Sequence, residues 1–142
     1  MAHHKIYQDF LGVWELEPET CIYQQSEPPR AGYYIISEVR EGLHFEMSWT
    51  DAEGEQHTHS FTGVPDGTAR PFAGGELADS LSVTALSVTE LNTAAYFKGR
   101  ELMSAKRLLL PGGNHMEVLQ AVHLPDGTTP TNIARYCRRL HS

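Results

Sequence analysis

Residues 43 to 50 alternate without exception: Leu43, Phe45, Met47 and Trp49 are apolar, and His44, Glu46, Ser48 and Thr50 between them are polar. Successive side chains of a strand point to opposite faces, so this segment reads as a strand with one dry face and one wet face. The pattern recurs along the chain. Residues 32–40 are dense in β-formers and join this run through Glu41-Gly42, a two-residue link of hairpin type. Asp51-Ala52-Glu53-Gly54 turns the chain into residues 55–62, and Pro65-Asp66-Gly67 leads into a proline- and glycine-bearing loop to Gly75. Further runs at 80–89, 91–98, 101–110, 115–124 and 131–139 are punctuated by Gly99, Pro111-Gly112-Gly113-Asn114 and Pro125-Asp126-Gly127. Helical periodicity is confined to residues 5–11 or 17–24. The expected fold is all-β, a meander of about 8–10 antiparallel strands, forming one domain over residues 1–142.

Such a meander buries its edges either as a sandwich or by closing into an up-and-down barrel. A sandwich needs apolar inner faces throughout, and several faces here are mixed. If Phe61 points inward, His57 and His59 share its face. Met116, Val118 and Val122 share theirs with Gln120. Buried polar groups need a partner or water, which favours a barrel around a central cavity.

Charge narrows the partners. The chain has 11 basic and 18 acidic residues, a net charge of −7. Nucleic acid and anionic membrane surfaces call for a basic patch, so neither is expected. No apolar run nears the ~20 residues that cross a bilayer. The N-terminus lacks the basic start and apolar stretch of a secretory signal, which makes the cytoplasm the expected compartment. Cys21 and Cys137 are the only cysteines. They fall far apart if the first and last strands pair antiparallel, so no disulfide is expected.

The two ends of the chain carry a resemblance. Gly12-x-Trp14 in the first strand, with an arginine in the last, resembles the lipocalin (calycin) signature. The segments 10–16, Phe61-Thr62-Gly63-Val64-Pro65-Asp66-Gly67, 112–118 and Asn132-Ile133-Ala134-Arg135-Tyr136-Cys137-Arg138 are similar, in order and spacing, to small bacterial lipocalin-like proteins. The resemblance spans nearly the whole chain. It implies a calycin barrel with a cavity, in which Gly12, Trp14 and Arg138 are structural and the arginine lies across the indole. Such a cation–π contact is worth ~0.5–2 kcal/mol.

Within that barrel, Tyr33, Phe45, Met47, Trp49, Phe61, Met116 and Tyr136 form an aromatic and thioether lining suited to an apolar ligand. His57, His59, Gln120 and Tyr136 supply polar anchors. The function expected is binding of a small, largely apolar molecule. The alternative is an isomerase or cyclase on a hydrophobic metabolite, with His57 or His59 as general acid and base. No metal site or cofactor is expected: the i, i+2 histidines lack a third ligand on their face. A homodimer is left open. There is no nucleophile motif and no phosphate-binding glycine loop.

Overall fold

The computed structural model describes residues 5–40, 42–71 and 78–139. A 3-10 turn at Gln8–Phe10 precedes ten strands: β1 Gly12–Tyr23, β2 Ala31–Val39, β3 Gly42–Thr50, β4 Gln56–Gly63, β5 Arg70–Pro71, β6 Ser80–Ser87, β7 Glu90–Phe97, β8 Arg100–Leu109, β9 His115–Val122 and β10 Thr131–Arg138. All belong to one sheet, ordered β4-β3-β2-β1-β10-β9-β8-β7-β6-β5, and every neighbouring pair is antiparallel. The first and last strands are therefore neighbours, and the sheet curls into a nearly closed barrel. No helix among the described residues is long and apolar enough to cross a membrane.

Strand positions follow the alternation closely. Residues 17–24 are not helical, because β1 continues through a register shift between Glu17 and Ile22 to reach Tyr23. The helical reading of residues 5–11 survives only as the 3-10 turn. In the expected loop, Asp66 bridges Thr84, while residues 72–75 lie outside the described residues, as does Glu41 of the expected hairpin link. Cys21 and Cys137 are free thiols.

The curl is completed where β4 meets β6. The Gly67 N–H donates to the Val83 carbonyl at 2.8 Å, and a Cβ at Gly63 would stand 2.3 Å from Val83 Cγ2. Val83 is buried and β-branched, so it has little freedom to yield. Gly63→Ala is thus expected to cost about 1–3 kcal/mol by overpacking. Urea unfolding checks this, and Val83→Ala in the same chain should restore most of the loss.

One end of the barrel is packed solid. Phe10, Trp14, Ile36, Leu43, Phe45, Leu91 and Met116 are at most 1% exposed and form one cluster. The Trp14 indole N–H donates to the Phe10 carbonyl at 3.0 Å, which ties the 3-10 turn across the barrel end. Arg138, register partner of Trp14, places its guanidinium 4.3 Å from the indole ring. Its N–H groups donate to the carbonyls of Asp9, Leu11 and Gly113. Gly12 makes room for this arrangement. Its φ of +131° suits glycine, and a Cβ there would lie 3.2 Å from Arg138 Nη1.

Candidate functional site

Toward the opposite end the side chains thin out, leaving a cavity of about 780 Å³. It opens between the segment after β1, with Glu27 and Pro29, and the β3–β4 turn, with Ala52 and Glu53. Part of its wall is as the alternation predicts: Met47, Trp49 and Phe61 line it, joined by Leu81 and Met103. Phe61 stacks on Phe45 with ring centroids 4.7 Å apart.

The floor holds a side chain that sequence reasoning missed. Arg107 borders the cavity yet is only 1% exposed. Its Nε–H donates to the Tyr34 hydroxyl oxygen at 2.9 Å, and one Nη2–H goes to the same oxygen. Nη1 donates to Thr93 Oγ1 at 3.0 Å and, more weakly, to the Ala105 carbonyl at 3.4 Å. The guanidinium carbon sits 4.9 Å from the Phe45 ring and 5.2 Å from the Tyr34 ring. Among the described residues no carboxylate pairs with it.

That arrangement is unbalanced in one direction. A buried charge without a counter-ion costs several kcal/mol, even when hydroxyls solvate it. Among the described residues the second Nη2–H has no acceptor. Tyr34 and Thr93 accept from Arg107, so each keeps its own O–H free to donate. Tyr136 packs edge-on against Tyr34, centroids 5.5 Å apart. Burial pushes its phenol far above the ordinary range. Burial likewise pushes the Tyr23 phenol up to about 12. Both therefore remain protonated donors at neutral pH. The floor presents a positive charge that no carboxylate among the described residues meets, beside hydroxyl groups able to donate.

Several expected site residues stand elsewhere. Phe45 and Met116 are fully buried in the packed end, below the cavity rather than around it. Tyr33 touches the cavity border, but its ring lies under Arg139 at 5.6 Å and its hydroxyl reaches toward Glu15, so the inward phenol is Tyr34. His57 leaves the wall. It stacks on Trp49 at 5.2 Å, and its Nε2 is 2.8 Å from Asp51 Oδ2. His59 does border the cavity, 6.0 Å from the Phe61 ring, yet it is exposed, as β4 is from Gln56 to Ser60. The shared cause is that β4 is an edge of the sheet and pairs only with β3. Gln120 reaches the cavity at its exposed rim.

The ligand atoms of Asp51, Glu55 and His57 lie within 4.8 Å of one another. The Asp51 carboxylate is already engaged there. His57 and the backbone N–H groups of Glu55 and Glu53 hydrogen-bond to it and hold its pKa below the usual range. The cluster locks the β3–β4 turn. Asp79 is exposed and caps the Lys98 N–H at 3.0 Å.

No protein-family model and no curated protein sequence matches this chain. Solved structures do. Zebrafish ileal bile acid-binding protein, complexed with cholic acid, superposes with a TM-score of 0.52 at 13% identity, over 92% of this chain and 99% of that one. The siderocalin Ex-FABP gives a TM-score of 0.41 at 11% identity, over 94% of this chain and 76% of that one. The first likeness is one of fold: the chain forms a nearly closed antiparallel up-and-down barrel of the same kind.

Proposed function

We propose that this lipocalin-like barrel binds a small amphipathic molecule through an anionic head, a carboxylate or a group of like charge, seated on Arg107, Tyr34 and Thr93. Its apolar body lies along Met47, Trp49, Phe61, Leu81 and Met103. The carrying observation is the buried guanidinium with no acid to meet it, in a cavity otherwise walled largely by apolar groups. The apolar ligand expected from sequence thereby acquires a charged end. The bile acid-binding protein of like fold was solved with cholic acid, itself a carboxylate amphiphile, which supports the reading. The isomerase or cyclase alternative draws no support from His57 and His59, both exposed on the edge strand. Two free thiols suit a cytoplasmic setting.

Calorimetric titration with dodecanoate, dodecanol and dodecylamine tests the head group while the chain stays constant. Dodecanoate is expected to bind at least about tenfold more tightly than the alcohol, the usual worth of a hydrogen-bonded charge, and the amine more weakly still. Equal binding of all three would remove the anion site.

A further inference from the structure

Three phenols border one side of the cavity. Strands β2, β1 and β10 are consecutive neighbours in the sheet, and each sends a phenol to that side: Tyr34, Tyr23 and Tyr136. Tyr34 is committed to Arg107. The other two are not. Among the described residues neither the Tyr23 hydroxyl nor the Tyr136 hydroxyl has a hydrogen-bond partner, although both side chains face the cavity. Tyr136 is held by its edge-on contact with Tyr34, so its hydroxyl is not free to swing toward another acceptor. Asn132, register partner of Tyr23, offers no substitute acceptor. Its Oδ1 takes the Gln24 and Gln25 N–H groups, and its Nδ2 donates to the Gln25 carbonyl.

Such an unpartnered hydroxyl can bond water in the empty cavity, and a ligand that displaces the water without offering an acceptor leaves it unpaired. Met47, Phe61, Leu81 and Met103, which also line the cavity, bring no side-chain donor to it. We infer that the ligand carries hydroxyl or keto oxygens along one edge, in addition to its anionic head, and that Tyr136 and Tyr23 select it by donating to those oxygens. The inference rests on the anion site at Arg107 and narrows it. The preferred class is an oxygenated, facially amphipathic carboxylate rather than a plain alkyl acid.

Cholate, with hydroxyls on one face, and the unhydroxylated 5β-cholanate share a skeleton and a carboxylate, so their difference isolates the edge oxygens. By calorimetry the wild-type protein is expected to bind cholate about tenfold more tightly, in line with the loss on leaving buried donors unpaired. The double variant Tyr23→Phe/Tyr136→Phe keeps both rings and their packing. It should abolish the preference while leaving 5β-cholanate affinity within about twofold of wild type. No preference in the wild type, or equal weakening of both acids by the variant, overturns the inference. Binding of dodecanoate but of neither steroid acid overturns it while leaving the Arg107 site intact. Failure of every carboxylate to bind removes both.

Discussion

Arg107→Met is expected to cost about a hundredfold in affinity for dodecanoate, the order of a doubly hydrogen-bonded charge, and to leave the empty protein more stable than wild type. The two effects share one origin. In the empty barrel the guanidinium is 1% exposed, with hydroxyls but no carboxylate for company. Methionine fills similar space with an adaptable, uncharged chain. The hydroxyls of Tyr34 and Thr93 can then turn to water in the cavity instead of being orphaned. Replacing buried charge by apolar side chains has stabilised other proteins by about 1–4 kcal/mol, and a gain in the lower half of that range is expected. Urea unfolding of the empty protein and calorimetry with dodecanoate measure the two arms. A loss of stability would make Arg107 a packing element between Tyr34 and Phe45. Unchanged affinity would refute the anion site outright.

The second large effect lies at the other end. Arg138→Ala should destabilise the protein by about 3 kcal/mol, summing a cation–π contact with hydrogen bonds from a charged group. Thermal unfolding should shift down by roughly 10 °C for a chain of this size. Three carbonyls, from Asp9, Leu11 and Gly113, lose their donor at once, and the face of Trp14 loses its cover. Arg138→Lys keeps the charge but cannot spread donors over three acceptors. It should recover less than half of the loss. If alanine costs under about 1 kcal/mol, the value of an ordinary surface contact, then the end is held by the Trp14 cluster alone.

The fold was legible because alternation and turn residues are local signals. Leu43 to Thr50 announces its strand and its inward face together, and β3 carries both as read. The site was less legible, for two physical reasons. Where both faces of a strand are apolar, parity is silent: Tyr33-Tyr34-Ile35-Ile36 gives no hint that Tyr34 and Ile36 are the buried pair. Where the parity is clear, a charged residue on the dry face is easily passed over. Met103, Ala105, Arg107 and Leu109 share one face of β8, and that pattern was the available sign of a buried arginine. His57 left the wall for a different reason, while His59 borders the cavity as read. Their shared face was read correctly, but whether β4 lies inside or at the margin of the sheet depends on strand order, which the alternation does not encode.

The pairing of β1 with β10 also has a consequence in time. Arg138 and the Leu11 carbonyl that it holds are separated by 127 positions in the chain. At a synthesis rate of about 5–20 residues per second, the first strand waits on the order of ten seconds for the last to be made. Through that interval the nascent chain is an open ribbon whose β1 margin has no mate on one side, and such margins invite pairing with other chains. Long-range closure of this kind also makes folding slow. The open β1 margin therefore lasts until β10 is made, and pairing with that strand closes it.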